Sequence, residues 1–354
     1  MTDKSGLFLV QSPLHIYNAC EAIRKFDIVK PTFLIVTSKH NVKWSEMMRD
    51  LLPANTEHRF CERNDLDIAA CTKEYVGHIQ FFKQQKYDYV FFSDSRLYIF
   101  VDIVNSLQNE NTFLMDDGAG IIQTVHTLEQ TGRYFDTTQS SQKKRRQEIE
   151  KIKRKYGLWQ LASCKYNLFT AFDFKDGEHF KVVANPMRTL CHKHEKLDHQ
   201  SVLILGVPFI KINYMSSEKY CDYLVALSAF YTGKRLLYLP HPREDMSYLH
   251  SKCIDSGIEV VSTHLTAEKY LMSLNPAPAI VTGFYSAALW YIAKFQPEIR
   301  VEAHRFHLSD ITLPPSQMMS RSSHLSILDI VDLVYDYYTL RMRVIEPLLK
   351  PSVA

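Results

Sequence analysis

Short apolar runs ending in small or polar residues recur along this chain. Each is followed by a segment whose apolar positions return at helical spacing, the sequence form of a parallel sheet covered by helices. Residues 7–10 lead into 13–26, 32–37 into 42–52, 87–93 into 97–108, and 111–115 into 118–126. Four such units predict one doubly wound domain. Residues 147–156 then read as a charged helix and 181–183 as a last short strand.

Residues 189–200 are polar and without period, which predicts a linker. After it the pattern restarts. Strands are predicted at 201–205, 236–239, 259–261 and 279–281, alternating with helices at 217–231, 246–256, 267–274 and 286–295. The expected fold class is therefore α/β, with two Rossmann-like parallel-sheet domains facing each other across a ligand cleft. The expected boundaries are 1–190 for an acceptor-side domain, 191–200 for the linker, 201–325 for a nucleotide-binding domain, and 326–354 for a C-terminal piece. Within that piece, residues 329–346 predict a long helix stopped at Pro347 and packing back on the first domain.

The 354 residues suit two domains, and 46% hydrophobic residues with only 11 glycines and 14 prolines exclude a low-complexity or collagen-like chain. The seven cysteines are scattered, odd in number and form no CxxC, so neither a disulfide framework nor a cysteine zinc site is predicted. A reducing, cytoplasmic setting fits. The first apolar run is about five residues long, far short of the ~18 needed to span a bilayer, so neither a signal peptide nor a membrane anchor is expected. The net charge of +3 conceals a local excess. Lys143–Lys155 holds eight basic and two acidic residues, which leaves the remainder at −3. A solvated helix face explains this run, as does attraction to an anionic membrane surface. Nucleic acid is not the expected partner, because no aromatic residues are interleaved with the charges.

Ligands of open α/β sheets bind where strands end, and three such turns are chemically unusual. In Asp116-Asp117-Gly118, two adjacent carboxylates between a strand and a helix suit general-base work, while an Asx turn or helix cap explains them equally. In Pro240-His241-Pro242-Arg243, a histidine is pre-positioned by stiff backbone beside a fixed positive charge, a combination that suits a phosphate. An imidazolium there could donate to a leaving phosphate, and a structural histidine in a proline-rich turn is the bland reading. In Thr282-Gly283-Phe284-Tyr285-Ser286, hydroxyls and backbone N–H groups meet a helix start, which suits an anion, although an ordinary serine cap also accounts for Ser286. Among weaker candidates, Asp94 reads as a helix cap, and His192 and His194 as solvated linker residues. No metal site is expected. The chain has no Walker, GxGxxG or GxSxG sequence, which argues against P-loop, simple dinucleotide-binding and nucleophile-elbow enzymes.

With these residues in view, the chain resembles the bacterial sialyltransferases of glycosyltransferase family 52 and, more distantly, the bacterial polysialyltransferases. The matching motifs are Asp116-Asp117-Gly118 and His241-Pro242, supported by residues 238–244, the opening Gln11-Ser12-Pro13-Leu14-His15 and the Ser286 turn. The resemblance implies a GT-B fold and inverting transfer of sialic acid from CMP-sialic acid to a sugar hydroxyl, galactose being the expected acceptor. It also implies no cofactor and no metal. Carried over by position, Asp116 or Asp117 would be the base. His241 would hold the CMP phosphate, with Pro242, Arg243, Thr282, Gly283 and Ser286 around it. Family members can also use an acidic residue soon after the first strand of the second domain. Here that loop reads Pro208-Phe209-Ile210-Lys211-Ile212-Asn213 and has none.

The expected partners are a CMP-sugar and a lipid-linked surface glycan of the lipooligosaccharide or capsule kind, at the inner face of a membrane. A homodimer is compatible with these expectations. The alternatives are a GT-B transferase using CMP-Kdo or a UDP-hexose, and a non-catalytic relative that binds nucleotide or glycan without turnover.

Overall fold

The computed structural model describes residues 3–38, 42–54, 56–63, 67–132, 143–158, 165–320 and 323–350. The chain divides into two compact units. The first comprises Met1–Thr189 with Arg321–His324, the second Leu190–Ser320 with Leu325–Ala354.

The first unit runs β1 (Lys4–Val10), α1 (Pro13–Phe26), β2 (Ile28–Ser38), α2 (Val42–Leu51), β3 (Glu57–Arg63), α3 (Ile68–Lys83), β4 (Tyr89–Phe92) and α4 (Tyr98–Leu107). It continues with β5 (Thr112–Met115), α5 (Gly120–Thr131), α6 (Lys143–Lys155), β6 (Asn167–Thr170) and β7 (Val182–Ala184). The seven strands are parallel, in the order β3-β2-β1-β4-β5-β6-β7.

One row of side chains fixes the register of this sheet. Phe33, Phe8, Phe91 and Phe113, from four adjacent strands, stack at centroid separations of 5.1, 4.9 and 5.3 Å. Phe26 at the end of α1 closes over Phe91, Phe113 and Phe169. Each such pair contributes about 0.5–1.5 kcal/mol beyond its buried area. A one-residue slip would turn any of these rings to the opposite face, so the row also holds the strand ends level, where the functional residues lie.

The second unit runs β8 (Leu197–Leu205), α7 (Ser217–Phe230), β9 (Arg235–Leu239), α8 (Met246–Asp255), β10 (Ile258–Val260), α9 (Ala267–Ser273), β11 (Ala277–Gly283), α10 (Ala287–Phe295), β12 (Arg300–His304), α11 (Ile327–Tyr338) and β13 (Arg343–Ile345). Its parallel order is β10-β9-β8-β11-β12-β13. In each sheet the strand order reverses beside the first strand of the unit. The switch points are therefore β1/β4 and β8/β11, where ligands of such sheets bind.

The pair β3–α3 and the strands β6, β12 and β13 have no counterpart in the apolar pattern. β3 is a sheet edge whose only fully buried side chain is Cys61, so it lacks a continuous apolar run. The expected linker is also shorter, because β8 begins at Leu197.

The C-terminal helix is shorter than expected. The helix starts at a capping box between Ser326 and Asp329 and ends at Tyr338, and the chain then adds β13 beside β12. Both elements belong to the second unit. Arg305, just past β12, donates to Asp332 at 3.0 Å and to Asp336 at 2.8 Å, and Tyr335 donates to the His304 carbonyl at 2.8 Å. These bonds draw α11 onto the sheet it follows.

Candidate active site

The carboxyl edge of the first sheet gathers polar residues around its switch point. Past β1, Ser12 caps α1 and Pro13 occupies the first helical position, where its missing N–H costs nothing. This places His15 in the first helical turn, fully buried. Its Nδ1 accepts the Gln11 backbone N–H at 3.2 Å, so Nε2 carries the proton and donates to Asp117 Oδ1 at 3.0 Å. Past β4, Arg96 donates to Asp94 Oδ1 at 2.9 Å and through Nη2 to Asp117 Oδ2, and Gln11 donates to Asp94 Oδ2 at 3.0 Å. Burial would raise the Asp94 carboxyl, but the Arg96 charge and its hydrogen bonds outweigh burial and hold it below the usual range. Asp94 is thus an anchor for Arg96 and Gln11. The helix-cap reading fails, since Leu97 stands at the cap of α4.

The two carboxylates after β5 have different surroundings. Asp116 is fully buried and accepts the Ala171 N–H at 2.8 Å. Asp117 is partly open, with 26% of its side chain exposed. Neither caps α5, whose cap residue is Ala119 and has no side-chain bond. Gly118 takes φ +63°, the left-handed bend that turns the chain from strand to helix. Gly120 lies so close to Arg96 that an added Cβ would sit 3.1 Å from its Nη1.

Beneath them, α1 presents a buried polar stripe of His15, Asn18 and Glu21. Asn18 donates to the Asp116 carbonyl at 3.1 Å and accepts from Asn185 at 2.7 Å, while Glu21 accepts the Thr189 N–H at 2.9 Å. Of this stripe only His15, within the opening motif, enters the sequence reading, and without a role. The stripe's signal there is three polar residues at spacing three on the face that the neighbouring apolar residues mark as buried.

In the second sheet, Leu239, Leu205 and Gly283 are aligned across β9, β8 and β11. The turns carrying His241, Gly206 and Ser286 therefore leave the same edge at the β8/β11 switch point. Burial, reinforced by Arg243, lowers the His241 pKa to about 4. The free imidazole is neutral, not the imidazolium expected from sequence. Its Nδ1 accepts the Arg243 N–H at 3.1 Å, which leaves the Nε2–H as the donor. Ser286 stands at the cap position of α10 without a side-chain cap bond, and its carbonyl accepts from Tyr338 at 2.8 Å. The serine-cap reading therefore does not account for its hydroxyl.

Thr282 is corrected. It lies inside β11, fully buried, and donates to the Glu302 carbonyl at 3.0 Å, so it is not placed to bind an anion. Gly283 also lies in the strand. A Cβ there would sit 2.9 Å from the Leu205 carbonyl oxygen, so it serves close strand packing. Pro242 and Arg243 are exposed beside His241. Glu244 is the residue the sequence reading passed over. Burial raises its carboxyl to about 7, opposed by hydrogen bonds from Tyr238 and the His241 backbone.

Other expectations also change. His194 is buried, its N–H bonded to Glu298 at 2.6 Å and its ring to Gln296 at 2.9 Å, so it is no solvated linker residue. Lys153 of α6 pairs with buried Asp102 at 2.6 Å, so α6 is not wholly a solvated face. The side chains of residues 143–146, the start of the basic run, lie outside the described residues. Cys61, Glu74 and His78 bring one ligand atom each within 4.8 Å of one another, on β3 and α3. They escape sequence reading because their spacing matches no metal-ligand motif and only the packing of α3 beside β3 brings them together, and Arg59 donates to His78 Nδ1 at 3.1 Å. Among the described residues no helix is long and apolar enough to cross a membrane.

Comparison with known proteins completes the picture. No curated protein matches the chain. Among solved structures, a UDP-glucosyltransferase from Polygonum tinctorium is 10% identical at a TM-score of 0.51, covering 98% of this chain and 86% of that one. Phytolacca americana UGT2 is 10% identical at 0.51, over 97% of this chain and 85% of its own. A UDP-N-acetylglucosamine 2-epimerase from Rickettsia bellii is 11% identical at 0.50, over 96% and 88%. These likenesses establish the fold, two parallel-sheet domains of GT-B type. The family profile described as Alpha-2,8-polysialyltransferase (POLYST) matches residues 6–303. That is the more distant of the two families the motifs resemble. A match of this length, carrying both edge motifs in order, means that the chain belongs to the alpha-2,8-polysialyltransferase family and is a glycosyltransferase.

Proposed function

We propose that this protein transfers sialic acid from CMP-sialic acid to a sugar hydroxyl of a surface glycan, with inversion at the anomeric carbon. Asp117 is the general base. The observation that carries this reading is its carboxylate, partly open and aimed by a buried histidine and an arginine at a sheet switch point. Asp116 instead supports the turn from below.

In the step, the acceptor oxygen bonds to the anomeric carbon and its proton passes to Asp117. The bond from that carbon to the phosphate oxygen breaks, and its electron pair leaves with CMP. The His241 Nε2–H donates to the departing phosphate, with Ser286 and the start of α10 as further donors. A monophosphate leaving group carries less charge than a diphosphate, so such donors suffice in principle. The Cys61, Glu74 and His78 group takes no part in this step.

The test is CMP release and transfer with CMP-sialic acid, against galactose-terminated and sialylated glycans. Asp117→Asn and His241→Ala are expected to lose transfer by about 100-fold or more while remaining folded. Asp116→Asn should mainly lower the melting temperature. Full activity in both Asp117→Asn and His241→Ala would overturn the assignment. Thermal shift with CMP, UDP and GDP separates a CMP-sugar donor from a UDP-hexose, because only a ligand of the folded state raises apparent stability. Binding of CMP without turnover on any acceptor would favour a non-catalytic relative.

A further inference from the structure

The turn that carries His241 is held by a second carboxylate. Glu244 Oε2 accepts the His241 backbone N–H at 2.5 Å, and Oε1 accepts the Tyr238 hydroxyl at 2.7 Å. Tyr238 lies 2.9 Å from the Tyr220 hydroxyl, which accepts the Val207 N–H at 3.3 Å. We propose that Glu244 is the positioning residue of the phosphate-binding edge, tying the backbone of His241 to the Gly206-Val207 turn through the two tyrosines. The proposal rests on the role given to His241 above.

Hydrogen-bond direction makes the case. A hydroxyl donates one proton. Tyr238 gives its proton to Glu244, so Tyr220 must donate to Tyr238 and is left to accept from Val207. The chain therefore runs one way, from the Val207 N–H through both hydroxyls to the carboxylate, and the His241 N–H meets the other oxygen. A carboxylate that only accepts satisfies every donor. A proton on Oε2 would face the His241 N–H. A proton on Oε1 would reverse both hydroxyls, so that Tyr220 accepts from Tyr238 as well as from the Val207 N–H and its own proton has no acceptor in the chain of bonds. Either way one donor of the chain loses its acceptor. Gly206 is part of the same fit, since a Cβ there would run into Glu244 Oε2, the Tyr238 hydroxyl and the His241 nitrogen.

Among the described groups facing Glu244, none other is shifted into the neutral range. Burial pushes Tyr238 on β9 and Tyr220 on α7 well above the usual phenol range, and Cys253 on α8 up to about 12. His241 sits at about 4 and Arg243 keeps its charge, while hydrogen bonds from Ser247 hold exposed Asp245 below the usual carboxylate range. Glu244 itself, raised by burial to about 7, changes charge across neutral pH.

The experiment is the pH profile of kcat for CMP release, from pH 6 to 8.5, with CMP-sialic acid and the best acceptor. Wild type is expected to show a limb rising with pH, with its midpoint near that of Glu244. Glu244→Gln should remove the limb and lower kcat about tenfold or more at pH 8, from loss of hydrogen bonds to a charged acceptor. Tyr238→Phe, which removes a bond favouring the ionised form, should move the limb to higher pH. This variant carries the test if Glu244→Gln does not fold. Lost stability in Glu244→Gln with the limb and kcat intact would overturn the proposal and leave Glu244 a structural residue. His241→Ala, run in parallel, separates the two readings. Its loss of transfer beside an unchanged Glu244→Gln profile refutes only the positioning role, whereas its full activity refutes the role of His241 itself.

Discussion

Replacing His15 tests whether Asp117 works because it is aimed. The imidazole is fully buried and makes two bonds, accepting the Gln11 N–H at 3.2 Å and donating to Asp117 Oδ1 at 3.0 Å. His15→Ala deletes a hydrogen bond to a charged group, about 1.5–3 kcal/mol, and strips an acceptor from a half-buried N–H, about 1 kcal/mol at the low end of such losses. A total of about 2.5–4 kcal/mol corresponds to a fall of roughly 5–15 °C in the melting temperature of a domain this size. The effect on catalysis is separate. A carboxylate left with Arg96 alone is free to turn toward that cation, and losing one aiming bond of this strength predicts a kcat about 10–100-fold lower. His15→Gln restores an N–H donor near the position of Nε2 and should recover part of kcat. The assays are thermal unfolding and CMP release at saturating donor and acceptor. A folded His15→Ala enzyme with wild-type kcat would refute the argument that aiming matters, even if its stability fell as expected.

Two other perturbations probe one sheet each. Gly120→Ala puts a methyl group against the Arg96 guanidinium, whose far end can move, so stability should change by no more than about 1 kcal/mol while kcat falls. An unchanged kcat would show that Arg96 need not sit where it does. In the second domain, burial lowers His304 to about 4, with Arg343 adding to the shift and Glu302 opposing it. The unfolded chain then binds the extra proton first, so this histidine costs stability as pH falls below its ordinary 6.5. From pH 7 to pH 5 the cost is about 2 kcal/mol. His304→Gln lacks it, so its unfolding free energy should gain on wild type by that amount over the same interval, measured by urea denaturation. A gap that does not change with pH would contradict the burial argument.

The chain's pattern alone determined the alternation of strands and helices, the division into two doubly wound halves and the turns where chemistry would sit. Buried parallel strands require continuous apolar runs, and their covering helices require a return every three to four residues. Asp116-Asp117-Gly118 and His241-Pro242 stood out for the same local reason, since each sits where such a run stops. Only the tertiary structure decided what each of those residues does. Asp116 and Asp117 are neighbours in sequence, yet one faces Ala171 beneath the sheet edge and the other meets His15 and Arg96. Thr282 resembled an anion ligand until the register of β11 turned its hydroxyl toward β12. The edge strand β3, the last strand β13 and the tie from Glu244 to His241 through two tyrosines were not legible either. The strands depend on neighbours far away in sequence and the tie on Tyr220 and Val207 as well as on nearby Tyr238, and burial and hydrogen-bond direction exist only once those partners have met.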